Sequence, residues 1–278
     1  MSGGSQAPDA SFTRPNDPTP RFDSARERFQ AAWKNLDRLS TSEVRPLVHF
    51  RLGAIALDVL GSAAALSDAH RQEISRWFAD EAFSASDPRR LLPSPPHTPA
   101  GDRVEMEAWA RRVHEVQTAE WRVAMELRFH QEAERHLKAT AAFARFGATF
   151  KAFFYFTRAY QDVIYVALSN VQGRPIATGS MASALSEGNP VGRELDEALP
   201  EYPRWFRQWR DQRNRWKIGT GHHLVGPAPD IGIGFLKFDE RTRGVEANLA
   251  HDIVRLGDAT RAIDYSSEIS EYLVQAAI

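Results

Sequence analysis

The chain contains no cysteine in its 278 residues. This absence excludes disulfides, thiolate zinc sites, cysteine-ligated iron–sulfur clusters and a cysteine nucleophile. A surplus of charge of either sign is also missing, because 35 lysines and arginines stand against 36 aspartates and glutamates, for a formal net charge of -1. We therefore do not expect a protein that binds nucleic acid with its whole surface, whereas a local basic face is compatible with this balance.

The sequence predicts neither a targeting segment nor a membrane-spanning segment. Residues 1–20 have neither the basic region nor the apolar core of a signal peptide, and their Pro, Ser, Gly and Asp content predicts a disordered leader. No stretch of eighteen residues is both apolar and uncharged, so we expect no membrane span and no membrane partner. Together with the absence of cysteine, these features favour a cytoplasmic protein.

Helical periodicity dominates the first part of the chain. Apolar residues recur at steps of three and four on one predicted helix face, namely Phe22, Ala25, Phe29, Trp33, Leu36 and Leu39. Ser24 and Glu27 have the spacing of a capping box at its start. A second helix is predicted to begin near Pro46 and a third near residue 67. We therefore predict an N-terminal helical unit over residues 21–83.

Prolines crowd residues 84–100, which we interpret as a loop or linker before a second domain over residues 101–278. A long helical stretch opens that domain, and a bend or break is expected between residues 140 and 147 because an unbroken helix would be unusually long. Nine aromatic residues then fall within residues 143–165. They predict a central core helix, with base or ligand stacking by some of the rings as the alternative.

One β-hairpin is predicted near the C-terminus. Residues 231–238 read IGIGFLKF, which alternates and is rich in strand-forming residues, and the segment that ends at residue 249 can pair back on it. A last helix is expected from about His251 to Ala276. The predicted fold class is mainly α, a helical bundle with one small β-hairpin at 231–249.

The most informative segment is the predicted helix from Pro203 to Lys217. Arginines recur there at steps of three and form a basic ridge along the helix, made of Arg204, Arg207, Arg210 and Arg213, with Arg215 and Lys217 after them. Arginine forks bind phosphate oxygens in pairs, so the ridge predicts a phosphate-facing surface. The alternative is an ordinary amphipathic helix, since basic residues near a helix C-terminus also stabilise its dipole.

The residues after the ridge add a motif. Arg213-Asn214 is followed by the pair His222-His223, and six residues separate Arg215 from His222. An arginine, a polar residue and a histidine shortly after them resemble the signature of the HEPN-domain superfamily. The resemblance covers about residues 102–278. It implies two antiparallel core helices, an RNA-cleaving site that often forms across a homodimer, and a toxin, stress or phage-defence setting.

The chemistry of such a site needs no metal. The ribose 2′-hydroxyl attacks the adjacent phosphate while a histidine, either His222 or His223, takes or gives the proton. Arg213 or Arg215 stabilises the charge that grows on the phosphoryl oxygens, and Asn214 orients the group. We expect Arg204, Arg207, Arg210 and Lys217 to bind the RNA backbone.

Other sites are not favoured by the sequence. Glu126 and His130 are four residues apart, as are Glu132 and His136, a spacing that is typical of surface helix pairs rather than metal ligands. We expect no metal and no cofactor. The predicted function is therefore that of a HEPN-like RNA-binding protein and candidate endoribonuclease, a hydrolase-like activity. The alternatives are a non-catalytic helical dimerisation protein and a small-molecule binder.

Overall fold

The computed structural model describes residues 16–36, 39, 44–95, 103–175, 179–186, 188–218, 221–226, 228–239, 244–247 and 253–278, with the backbone alone at 215–218, 221–223, 235–239 and 244–247. The described part is mainly α-helical with a small antiparallel sheet, which confirms the predicted fold class. Its helices are α1 (Thr19–Leu36), α2 (Pro46–Ala85), a 3₁₀-helix (Pro88–Leu91), α3 (Arg103–Val116), α4 (Ala119–Val171), α5 (Met181–Ala184), α6 (Pro190–Ala198), α7 (Tyr202–Ile218) and α8 (Leu256–Ala277). The first fifteen residues of the predicted leader 1–20 lie outside the described residues.

The chain forms two compact units. The first contains the chain up to Gln72 and again from Arg145 onward, and the second contains residues 73–144. The long helices α2 and α4 each begin in one unit and end in the other. These units cut across the predicted ranges 21–83 and 101–278, because α1 packs with elements from the C-terminal part of the chain.

Aromatic side chains build the core of the first unit. Phe22 of α1 contacts Phe153 of α4 with ring centroids 5.8 Å apart, and Phe29 meets Tyr160 edge-on at 5.0 Å. The predicted core helix is confirmed, because most of its rings are fully buried, namely Phe146, Phe150, Phe153, Phe154, Tyr160 and Tyr165. Burial of such large side chains is the main stabilising contribution to a bundle of this kind.

Several helix boundaries differ from prediction. The predicted second and third helices are one helix, α2, since no proline or glycine pair interrupts it near residue 67. The break expected at 140–147 lies instead at Gln117 and Thr118, between α3 and α4. The start of α1 is also earlier than the Ser24 capping box, because the Asp17 carboxylate accepts the Thr19 N–H at 2.9 Å.

One helical stretch of the described chain, Pro46–Leu91, is long and apolar enough to span a membrane by length and composition. The sequence criterion of eighteen uncharged residues did not detect it, because Arg51 and Asp58 interrupt its apolar part. Core helices of soluble proteins satisfy the same measure of length and hydropathy.

The sheet has four strands near the C-terminus: β1 (Gly221–Val225), β2 (Gly232–Asp239), β3 (Gly244–Ala247) and β4 (Val254–Arg255). All pairings are antiparallel, and β2 pairs with each of the other three. The β2–β3 pair, with Leu236 opposite Ala247, confirms the predicted hairpin. The strands β1 and β4 were not predicted, and β4 delays the last helix to Leu256 rather than His251.

Close packing at Gly232 explains how β4 fits beside β2. A Cβ at this position would lie 2.8 Å from Cγ2 of Ile253 and 3.0 Å from Cγ of Arg255. Only glycine permits this approach without a shift of the neighbouring backbone.

Candidate functional site

The helix α7 is packed into the first unit through its aromatic face. Trp209 stacks on Phe154 of α4 with ring centroids 3.8 Å apart, and Trp205 packs on Tyr265 of α8 at 4.7 Å. Tyr202 and Phe206 are fully buried on the same side. Because four large side chains are fixed in this way, the opposite side of α7 is turned to solvent.

Arginines occupy that outer side. Arg204, Arg207 and Arg210 are exposed, and none of them forms an ion pair with any residue that the structure describes. Arg207 donates from Nε to the Pro203 carbonyl at 3.1 Å, so its guanidinium is partly positioned by the helix itself. Asp211 lies four residues after Arg207 and is exposed, yet these two residues form no ion pair. The three side chains therefore present positive charge that the described residues do not neutralise.

Arg213 does not continue this surface. It is half-buried, and its Nη1 donates to the Asn214 Oδ1 at 3.1 Å. Three residues fall about 60° short of one full helix turn. Arg213 follows Arg204 by three such steps, so it lies about 180° around the helix from Arg204, on the side of Trp209. The predicted ridge of four arginines is thus a face of three, and Arg213 is hydrogen-bonded to Asn214 instead.

The structure describes only the backbone of the remaining residues of the predicted site. Arg215 and Lys217 lie in the last turn of α7, and their side chains lie outside the described residues. His222 and His223 lie on β1, opposite Phe235 and Gly234 of β2, and the same limit applies to their side chains. The helix ends at Ile218, before the histidines. The convergence of the arginine, asparagine and histidine groups stays a prediction.

A buried polar group supports α7 from below. The guanidinium of Arg158 lies 4.7 Å from the centre of the Phe206 ring, pairs with Asp162 and donates to the Ser180 Oγ at 3.2 Å. Burial raises the pKa of the neighbouring Tyr202 hydroxyl, so this phenol stays neutral at every physiological pH. These contacts join α7 to α4 and to the start of α5, and they give Arg158 a structural role.

An acidic cleft of about 310 Å³ lies beside the start of α7. Glu201, Asp264 and Glu268 line it together with Arg261 and Tyr265. Burial, with the charges of Asp264 and Glu271, raises the pKa of Glu268. Arg28 pairs with Asp264 at 2.6 Å and Arg261 also lines the cleft, so one carboxylate stays unbalanced, and an anionic ligand is expected on the arginine face rather than here.

Sequence reasoning did not identify a polar cleft of about 420 Å³ in the second unit. Its arginines are all paired with carboxylates: Arg76 with Glu73 and Asp80, Arg135 with Asp80, Arg128 with Glu132 and Asp87, and Arg89 with Asp87 and Glu132. The Arg128 guanidinium also covers the Phe83 ring at 3.1 Å. The four-residue spacing of several of these arginine–carboxylate pairs is the sequence signal from which the ion-pair network could have been predicted. Because positive and negative groups are matched, this cleft is a structural ion-pair network.

No cluster of histidine, aspartate and glutamate within the described residues has a geometry suited to a metal ion. Comparison of the chain with protein-family models, curated proteins and solved structures finds no significant match.

Proposed function

We propose that this protein binds single-stranded RNA through the exposed arginines of α7 and is a HEPN-like, metal-independent endoribonuclease. One observation carries the first part. Arg204, Arg207 and Arg210 share the outer side of a helix whose other side is fixed by four buried aromatic residues, and no described acid neutralises them. Free guanidinium groups on a rigid helix are the arrangement that phosphate recognition requires.

The catalytic part rests on the residues that follow this face. Asn214 accepts a hydrogen bond from Arg213, which leaves its amide NH₂ available to a ligand oxygen. His222 and His223 follow α7 closely in the sequence, because α7 ends at Ile218 and β1 begins at Gly221. In the proposed reaction the 2′-oxygen forms a bond to phosphorus and the 5′-oxygen leaves with the proton that a histidine returns. The products are a 2′,3′-cyclic phosphate and a 5′-hydroxyl.

RNA binding is tested with a fluorescein-labelled single-stranded oligoribonucleotide and fluorescence anisotropy. The variant Arg204→Gln/Arg207→Gln/Arg210→Gln removes the arginine face, and we expect its Kd to rise by about tenfold or more. The matched control is Arg111→Gln/Arg112→Gln/Arg122→Gln, since these three arginines are also exposed and form no ion pair within the described chain. Both variants lose the same charge. An equal rise in the Kd for RNA in the two variants would contradict an RNA-binding site on α7.

The alternative of a non-catalytic dimerisation protein is favoured by a different feature, an apolar face of α2 that remains exposed within the described structure. Charge reversal at Arg204, Arg207 and Arg210 separates the two functions. It abolishes RNA binding if the arginines contact phosphate, whereas a protein that only dimerises through the apolar face of α2 keeps its dimer dissociation constant unchanged and shows no RNA binding with either sequence.

A further inference from the structure

The first part of α2 has two apolar faces. One contains Leu52, Ala56, Val59, Ala63 and Leu66, which are all buried in the core of the first unit. The other, which we name the α2 stripe, consists of Leu47, Phe50, Ala54, Leu57, Gly61 and Ala64. Helical geometry places the two faces about 180° apart. The helix therefore presents a second apolar face away from its own core.

The large residues of the α2 stripe are well exposed. The exposed fractions are 69% for Leu47, 72% for Phe50 and 54% for Leu57. Contiguous exposure of this kind is uncommon on a monomer and marks a contact surface. Residues 1–15, which lie outside the described structure, contain only Met1 and Phe12 as large apolar residues, too few to cover it.

The spacing of the α2 stripe identifies the type of partner. Its members follow one another at alternate steps of three and four, which is the narrow seam of a two-helix coiled coil. A helix that lies on a lipid surface has a wider apolar arc and a polar face rich in lysine and arginine. The face opposite the α2 stripe is buried in protein instead. The pattern therefore favours another helix as the occupant.

We propose that the α2 stripe binds the α2 stripe of a second copy of this chain in an antiparallel pair. Around a two-fold axis between residues 55 and 56, each large residue meets a small one. The pairs are Leu47 with Ala64, Phe50 with Gly61, and Ala54 with Leu57, each repeated by symmetry. This alternation lets two helices approach closely without a gap or a clash.

The charges beside the α2 stripe match the same arrangement. Arg51 and Asp58 are both exposed, and neither has an ion-pair partner within the described residues. They are about 10 Å apart along their own helix, too far to pair with each other. In the antiparallel pair Arg51 lies next to Asp58 of the second copy, and the symmetry gives two such ion pairs.

Gly61 is the most specific element. A Cβ at this position would meet no atom within 4 Å in the described structure, so no internal contact requires a glycine in the middle of α2. Glycine lowers helix stability relative to almost every other residue. The close approach of Phe50 from a second copy would explain why a glycine occupies position 61, whereas no contact within the single chain explains it.

The test uses the full chain and sedimentation equilibrium. We expect a dimer with twice the 31.3 kDa mass of one chain. Gly61→Leu is expected to raise the dimer Kd by about tenfold or more, while helix content by circular dichroism stays equal or rises. The matched control is Gly257→Leu, because Gly257 of α8 is exposed and also has open space around its Cβ position. A monomeric wild type would overturn the proposal, as would a dimer that tolerates Gly61→Leu.

Charge exchange tests the orientation. Arg51→Asp and Asp58→Arg each place like charges together and weaken the dimer, and the double variant restores it. Flotation with vesicles of phosphatidylcholine and phosphatidylglycerol tests whether the α2 stripe binds a lipid surface instead of a second copy of the chain. Vesicle binding that Gly61→Leu strengthens would overturn the protein–protein assignment. None of these results depends on RNA binding.

Discussion

Trp209 of α7 stacks face to face on Phe154 of α4, with ring centroids 3.8 Å apart and ring planes 15° apart. This contact fixes the helix that carries the exposed arginines to the most aromatic part of the core. Since Trp205 also stacks near Trp209 at 5.6 Å, α7 cannot rotate without the loss of several ring contacts. The outward direction of Arg204, Arg207 and Arg210 is therefore a consequence of core packing.

A double-mutant cycle measures this contact. Phe154→Leu, Trp209→Leu and the double variant are compared by urea unfolding, and we expect a coupling free energy of about 0.5–1.5 kcal/mol because the pair contributes beyond its buried area. Tyr155→Leu is the control, since Tyr155 is 57% exposed and its replacement is expected to change stability by less than about 0.5 kcal/mol. A coupling energy of zero would contradict the stacking contribution.

His70 predicts a loss of stability in mild acid. Burial lowers its pKa from 6.5 to about 4, with Asp17, Asp230 and the Ile231 backbone opposing the shift. The ring contacts the Thr19 Oγ1 at 3.1 Å, and because that hydroxyl donates to Asp17, His70 donates from Nδ1. The folded protein thus keeps the imidazole neutral down to about pH 4, whereas the unfolded chain takes up a proton near pH 6.5.

The sign of the effect follows from this difference. Between pH 6.5 and 4 the unfolded chain binds more protons, so stability falls as pH falls. The full effect of this one group is on the order of 3 kcal/mol. The variant His70→Gln does not titrate, so urea unfolding over this pH range is expected to show a smaller slope than the wild type. An unchanged slope in the variant would rule out His70 as the cause.

Arg128 gives a prediction for the second unit. Its side chain is only 6% exposed and donates from Nη1 to the Phe83 carbonyl at 2.6 Å. Arg128→Lys loses this bond, the planar contact with the Phe83 ring and the Glu132 pairing, so we expect a loss of about 2–3 kcal/mol in the free energy of unfolding. Arg122→Lys on the same helix is the exposed control. Equal stability of the two variants would show that the buried network contributes nothing.

The proposed cleavage chemistry predicts activity in EDTA. Because a histidine moves the proton and no metal takes part, the purified protein should cleave single-stranded RNA with the chelator present. His222→Ala/His223→Ala should lower the rate by about 100-fold or more at an unchanged melting temperature. His114→Ala/His130→Ala is the control, since these histidines are exposed on α3 and α4 and lie outside the proposed site. Cleavage by the first double variant at the wild-type rate would remove the site assignment.

Much of the fold could be predicted because it follows from local patterns. The aromatic helix around residue 154, the arginine-rich helix and the hairpin at 231–249 each carry a clear period in the sequence. The strand β1 carries no such signal, since polar and apolar residues do not alternate in GHHLV. The strand β4 has two residues and depends on the close approach that Gly232 permits. Both strands depend on tertiary pairing, which a single-sequence pattern does not contain.

The site was predicted less completely than the fold. Three-residue spacing indicated a ridge of four arginines, but the rotation of the helix places Arg213 next to the buried side. The exposed apolar side of α2 was not predicted at all, and Leu47 lies there on the opposite side from the buried Leu52. In both cases the direction in which the side chains face required the packed structure.

The salt dependence of RNA affinity tests the central claim most directly. Each phosphate contact to a single strand adds about 0.7 to the slope of log Kd against log salt concentration. Arg204→Gln/Arg207→Gln/Arg210→Gln should therefore lower that slope by about 2 relative to the wild type, and the control Arg111→Gln/Arg112→Gln/Arg122→Gln should leave it unchanged. A slope that is the same in all three proteins would contradict RNA binding by the arginines of α7.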